Sequence, residues 1–197
     1  MSDLTRPAIF FEHYLNELTG IFKGLNSSEF EQFIDELLSA YQREAFIFVF
    51  GNGGSGATAS HFASDINKGV SYGLTRRFRV VCLNDNTPTI SAYANDVSFD
   101  DVFVEQLANF LTPNDLVIGI SGSGNSANVL KAVEYANRLG SSTFGICGYG
   151  GGRLKELATG SLVINSNDMQ KVEDLHFVAL HCAMKYLVEK LHKNGLQ

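Results

Sequence analysis

From Phe46 onward the chain repeats one pattern: a short, continuously apolar run, a turn rich in glycine, proline, serine or asparagine, then a segment with helical spacing. The runs are FIFVF, FRVVCL, DLVIGIS, STFGICG and SLVIN, beginning at residues 46, 78, 115, 142 and 161. An antiparallel sheet with one wet face would alternate polar and apolar residues, whereas strands covered on both faces read as unbroken apolar runs. Parallel neighbours also need a crossover, usually a helix. The pattern therefore predicts an α/β fold with a parallel sheet between layers of helix. Helices are expected near 55–68, 88–94, 102–111, 126–139 and 153–158, and a long last one near 169–192.

Two helices should precede this core. In the first, Phe11, Leu15, Leu18, Phe22 and Leu25 form a stripe flanked by Phe10, Tyr14 and Ile21, as in a helix that packs on two sides. The second lines up Phe30, Phe33, Ile34, Leu37, Leu38 and Tyr41, with Ser28 and Glu31 spaced as a capping box and an end near Gln42. No linker interrupts the 197 residues, so one domain is expected, with a helical pair over 1–44 and the α/β core with its C-terminal helix over 45–197. The last helix is apolar nearly all round (Val172, Leu175, Phe177, Val178, Leu180, Leu187), which implies burial in a bundle or an oligomer interface.

A net charge of -6 removes the main attraction for nucleic acid, so no nucleic-acid partner is expected. Cys82, Cys147 and Cys182 are far apart in apolar segments, which suits buried reduced thiols and a cytoplasmic location. The N-terminus lacks the basic start of a signal peptide, and no apolar run approaches the roughly 20 residues of a membrane span. No membrane association is expected.

Two of the strand ends echo each other: FVFGNGGSGATAS and IGISGSGNSANVL are each a strand, a Gly/Ser turn and a helix start. Turns of this kind, at strand C-termini in an open α/β sheet, face the ligand crevice. Glycines let the backbone approach a ligand, free amides at a helix start attract an anion, and Ser121, Ser123 and Ser126 add hydroxyl donors. An acidic protein can bind phosphate in this way without a lysine cluster. Gly, Ser and Asn are also simply good turn formers, so either loop alone has an ordinary explanation. Gly51, Gly53 and Gly56 match the dinucleotide spacing G-x-G-x-x-G, but the acid that should follow about 20 residues later is absent; Asp85 lies 29 positions beyond Gly56.

Four titratable groups stand out. His61 and Asp65 are one helical turn apart and can converge on one metal or substrate, or simply bond to each other. In VEDLHFVALH, Glu173 and His181 are separated by about 12 Å of rise and about 80° of rotation on a straight helix, too far for one small site unless side chains extend, the helix distorts or subunits share the site. His176 reads as a packing histidine with its hydrogen bonds satisfied.

The segments GNGGSGATASHFASD, AYANDVSFDDVF, GISGSGNSANVLKAVEYA and VEDLHFVALH resemble the phosphoheptose isomerase branch of the sugar isomerase, or SIS, domain family. The resemblance implies a three-layer α/β sandwich, flavodoxin- or Rossmann-like, with a five-stranded parallel sheet and preceding helices. It further implies homotetramers with active sites between subunits, and isomerisation of sedoheptulose 7-phosphate for lipopolysaccharide or capsule heptose. Phosphate contacts would come from Ser55, Ser121, Ser123 and Ser126, with Gly53 and Gly122 in the loops. Asn52, Asp96, Asn125 and Glu173 would lie near the sugar. Asp65 would be the base and His181 its partner, and in zinc-binding members the ligand positions correspond to His61, Asp65, Glu173 and His181. No nucleotide cofactor is implied. Three residues depart from the branch: Asp65 stands where it has glutamate, Glu173 where it has glutamine, and Gly122 where it has threonine. Other SIS proteins without the catalytic pair bind phosphosugars or protein partners as regulators, which is the alternative class.

Overall fold

A computed structural model describes residues 5–193. Helices α1 (Pro7–Lys23) and α2 (Ser27–Gln42) precede strand β1 (Phe46–Gly51). There follow α3 (Gly53–Ser64), β2 (Arg79–Cys82), α4 (Thr87–Asp96), α5 (Val104–Phe110), β3 (Leu116–Ser121) and α6 (Ala127–Leu139). The chain ends with β4 (Ser142–Gly148), α7 (Gly152–Leu157), β5 (Gly160–Ile164) and α8 (Met169–Lys193). All strands are parallel in the order β2-β1-β3-β4-β5, so the expected five-stranded sheet is present. This is the flavodoxin-like order, whose switch point lies between β1 and β3. Gly51 pairs with Ile120, so the two Gly/Ser turns leave the sheet side by side.

Each sheet face has its own apolar layer. On one, Phe33 and Leu37 of α2, Phe62 of α3 and Leu180 and Leu187 of α8 cover Ile47, Val49, Ile118 and Ile146. The Phe33 ring lies 5.0 Å from that of Phe144 and 6.1 Å from that of Phe62, joining two helices to the strands. On the other, α5, α6 and α7 supply Leu107, Val129, Val133 and Leu154 over Phe48, Phe50 and Val117. The inner strands β1, β3 and β4 are buried on both sides, as their unbroken runs require, whereas the edge strand β2 exposes Arg79 and Val81 on one side, contrary to the expectation of full cover.

Both sheet edges are blunted by side chains. At β5, Glu29 of α2 accepts from the Val163 N–H at 2.9 Å. At β2, Asn67 donates to the Val80 carbonyl at 2.7 Å and accepts from the Val80 N–H at 3.1 Å. Asn67 lies in a π-helical segment, Asp65–Val70, that continues α3 past the expected end at Lys68. Such segments add a residue to the turn and recur at functional sites; here one begins at Asp65.

Some local expectations need correction. The cap of α2 is Asn26, whose side chain accepts from the Ser28 N–H at 3.1 Å, in place of the Ser28–Glu31 box. Within one chain α1 packs on one side only: Leu18 and Ile21 meet Ile164, Val172 and Leu175, while Phe10 and Phe11 are 55% and 62% exposed. Of the cysteines, Cys82 and Cys147 are buried but Cys182 is exposed. Burial pushes both buried thiols up to about 12, leaving them inert.

Asp115 ties the start of β1 to the start of β3. It is 3% exposed and accepts from the Phe46 N–H and from both the N–H and hydroxyl of Thr112, each at 2.8 Å. Replacing it by Ala strands partly buried donors, and a hydrogen bond to a charged group is worth about 1.5–3 kcal/mol. Asp115→Ala should therefore lower unfolding free energy by about 3 kcal/mol, measured by urea denaturation with an unchanged slope; a loss under about 0.5 kcal/mol would contradict this role.

Candidate active site

A groove of about 270 Å³ opens at the switch point, lined by Asn52, Gly53, Ser55, Ser121, Ser123 and Ser126, with Gly54, Gly122, Met169 and Glu173 completing it. Gly53 has a left-handed φ of 52°, which lets the chain turn from β1 directly into α3. Gly124 has φ 67°, and a Cβ there would lie 2.0 Å from the Gly151 carbonyl oxygen. The serine loop is thus seated on the backbone that leads into α7. Asn125 fastens it further, donating to the Ser123 carbonyl at 2.9 Å and accepting from the Arg153 N–H at 3.1 Å. The Ser121 and Ser126 hydroxyls lie 3.1 Å apart, facing one small space. These hydroxyls and the amides opening α3 and α6 are uncharged donors gathered in one groove, which the Glu173 carboxylate also lines.

Farther along α3 a second cluster forms against α8. His61 Nε2 lies 3.0 Å from His181 Nε2, and Asp65 Oδ2 lies 3.3 Å from the first and 3.4 Å from the second. Phe177 flanks both imidazoles, its ring 4.7 Å from His61 and 4.8 Å from His181. Both histidines are nearly half exposed, so a small molecule can reach them. Two imidazole nitrogens and one carboxylate oxygen are zinc donors, and bonds of 2.0–2.1 Å in a tetrahedron set neighbouring donors about 3.3 Å apart. The observed triangle fits that spacing and leaves the fourth position free, as in catalytic zinc sites.

Glu173 does not join this group. A Cβ on Gly54 would lie 2.5 Å from Glu173 Oε1, so the carboxylate rests over the first turn of α3, in the serine groove. The expected four ligands therefore divide into three and one within a single chain. The Asn52 and Asn128 amides pair reciprocally at 2.8 and 2.9 Å, which holds Asn52 at the groove wall. Asp96, exposed at the end of α4, accepts from the Asn95 amide and lies outside the groove lining. Gly122 has a local reason: a Cβ there would meet Met169 Sδ at 2.5 Å, so threonine would require Met169 to move.

Sequence reading missed three residues that shape the site. Asn84 brackets Gly51, accepting from its N–H at 3.2 Å and donating to its carbonyl at 2.8 Å. Asn128 holds Asn52, and Met169 closes the groove floor. The signal for Asn84 was its place directly after the β2 run, in CLNDN; the other two carry no local signal.

A family profile described as the SIS domain matches residues 11–148. Among curated proteins, a probable phosphoheptose isomerase of Thermoplasma acidophilum is 36% identical over 87% of this chain and 94% of its own length. The phosphoheptose isomerase of Helicobacter pylori strain P12 is 33% identical over 86% and 89%. The chain belongs to the phosphoheptose isomerase branch of the SIS domain family. A solved phosphoheptose isomerase from Neisseria gonorrhoeae superposes with a TM-score of 0.83 over 94% of this chain and 98% of that one, at 26% identity. The SIS fold accounts for the shared sheet order and for the paired loops at the switch point.

His176 lies on α8 between the groove and the cluster and is 1% exposed. It is a packing residue, but its Nε2 lacks a partner among the described residues, so the expectation of full satisfaction fails. Burial lowers its pKa from 6.5 to about 4, against the opposing pull of a hydrogen bond to the Cys147 backbone. Because the folded value lies below the unfolded one, its contribution is complete above about pH 6.5 and is lost as pH falls toward 4. Urea unfolding of wild type and His176→Gln at pH 7 and pH 5 should show the variant gaining about 2 kcal/mol relative to wild type at the lower pH. A pH-independent difference would remove His176 from the acid response.

Proposed function

We propose that this chain is a phosphosugar aldose–ketose isomerase interconverting sedoheptulose 7-phosphate and glycero-manno-heptose 7-phosphate, as one SIS domain over 1–197. The observation that carries the reading is the convergence of His61 and Asp65, at the far end of the helix that opens the serine groove, with His181 of α8. The hydroxyls of Ser55, Ser121, Ser123 and Ser126 and the amides of α3 and α6 hold the phosphate. Asp65 then moves a proton between C1 and C2 through an enediol, and His181 exchanges a proton with the neighbouring oxygen. His61 braces Asp65 from the preceding turn. His61, Asp65 and His181 would hold zinc, which when bound polarises a carbonyl. Glu173, over Gly54, faces the middle of the sugar.

Distance favours a site shared between copies. Ser55 and Asp65 are ten residues apart on one helix, about 15 Å of rise, whereas an extended seven-carbon phosphate spans roughly 10 Å. A homotetramer that sets the serine loop of one copy near the Asp65 cluster of another shortens that span and covers Phe10 and Phe11 of α1. It also brings Asp96 within reach of a sugar. No described helix is long and apolar enough to cross a membrane; a cytoplasmic enzyme supplying heptose for lipopolysaccharide or capsule agrees with this.

The test is conversion of sedoheptulose 7-phosphate to the aldoheptose phosphate by the zinc-loaded protein. Asp65→Asn and His181→Gln should each lower kcat by at least about 100-fold, while sugar-phosphate affinity stays within a few-fold. Turnover should fall on chelation and return with zinc. Tight binding of the sugar phosphate by wild type with no turnover would replace the enzyme by a phosphosugar-binding regulator.

A further inference from the structure

We propose a second anion site at the opposite end of the sheet, built to take a diphosphate group. The site is a groove of about 1100 Å³ between the end of α2, the segment leading into β2 and the end of α8. Arg76, Arg77, Arg79 and Lys190 line it against the acids Asp35 and Glu44, so it is locally basic in a chain of net charge -6.

Two of these guanidiniums are fixed largely by neutral groups. Arg79 opens β2 beside Phe46; its Nη1 donates to the Glu44 carbonyl at 3.1 Å and its guanidinium lies 3.8 Å from the Phe46 ring centroid. Arg76 donates to the Gln42 carbonyl at 3.3 Å, lies 5.8 Å from the Tyr41 ring centroid, and reaches the Glu44 carboxylate at 3.4 Å. Carbonyls and ring faces orient a guanidinium without cancelling its charge. Glu44 holds its carbonyl there from a left-handed φ of 54°, a strained conformation for a side chain with a Cβ. Arg77 makes no hydrogen bond or ion pair among the described residues, and Lys190 has only the Tyr186 ring, 5.6 Å away. The result is two oriented guanidiniums with two uncommitted cations beside them.

Planar guanidinium forks match phosphate oxygens two at a time. Two fixed forks plus two uncommitted cations exceed what a single phosphate monoester needs and suit adjacent phosphoryl groups. The groove volume leaves room for a group attached to the diphosphate, such as a nucleoside. The serine groove is different in kind, since it holds anions with hydroxyls and amides and presents the Glu173 carboxylate. The two sites lie at opposite strand ends, about 20 Å apart.

The test is calorimetric titration of the full-length protein with inorganic pyrophosphate and, separately, with ADP. Pyrophosphate should bind with an affinity that falls at least tenfold between 50 and 200 mM salt. Arg77→Ala/Lys190→Ala should weaken binding at least tenfold while leaving isomerase turnover unchanged; Arg77 is exposed and Lys190 half-buried, and neither belongs to the serine groove or the Asp65 cluster. Ser121→Ala/Ser123→Ala should leave pyrophosphate binding intact. Tighter binding of ADP would identify a nucleoside diphosphate as the ligand, and equal binding would show that the diphosphate alone suffices. Loss of pyrophosphate binding in the serine variant with retention in the Arg77/Lys190 variant would overturn the proposal, as would absence of binding at millimolar pyrophosphate.

Discussion

Most of what this chain can do depends on how closely α3 approaches α8. The first eight residues of α3 are Gly-Gly-Ser-Gly-Ala-Thr-Ala-Ser, and the facing part of α8 offers Ala179 and Ala183, all small. Ala59, Ala63, Ala179 and Ala183 are at most 4% exposed within one apolar cluster. Interaxial distances of packed helices run about 8–10 Å according to side-chain size, and small residues at the contact favour the short end. That approach brings His61 and Asp65 against His181, and it seats Glu173 where Gly54 has no side chain. A larger residue along this seam would separate the very groups on which the proposed proton transfer depends.

The sheet was legible because its cause is local and strong. Strands covered on two faces are apolar nearly throughout, as β1, β3 and β4 are, and the ends of all five runs agree with the structure within a residue or so. The paired loops were legible because glycine and serine cluster only where strands end. Other features arise from contacts distant in sequence. The π-helical turn at Asp65 accompanies the bonds of Asn67 to Val80, thirteen residues on, and nothing in DINKGV announces it. Ser28 resembled a cap because capping boxes are short-range patterns, yet Asn26 lay two residues earlier and its amide oxygen took the Ser28 N–H. The helical arithmetic for Glu173 and His181 proved sound: their separation is real, and the two residues face different parts of α3. His176 was read correctly as packing and incorrectly as satisfied, since one ring nitrogen found the Cys147 backbone and the other found nothing among the described residues.

The departures from the family pattern are coupled to neighbours rather than free-standing. Asp65, shorter than glutamate by one methylene, still reaches both imidazoles because the helices are close. Gly122 goes with Met169, whose sulfur fills the space a threonine side chain would take. Glu173 adds a charge to the groove proposed to take a phosphate, but it does so at the amide-rich start of α3, where the helix dipole favours a carboxylate. A bound phosphate and Glu173 therefore draw on the same partial positive charge. On the proposed function, the substrates this groove favours place a hydroxyl between the two, rather than a second acid.

The two strand ends are electrostatically unlike for a reason built into parallel sheets. At the C-terminal ends, α3 and α6 begin, so the chain presents free amides and needs no basic side chains to hold an anion. At the N-terminal ends, helices finish and carbonyls face outward, so an anion there is repelled unless cations intervene. Arg76 and Arg79 do intervene, using the Gln42 carbonyl at the end of α2 and the Glu44 carbonyl just beyond it as acceptors. Carbonyls that would otherwise repel an anion thus become the anchors that orient the cations to receive one. The same polarity that makes one end of the sheet a phosphate site by default makes the other end basic only by placement of particular side chains.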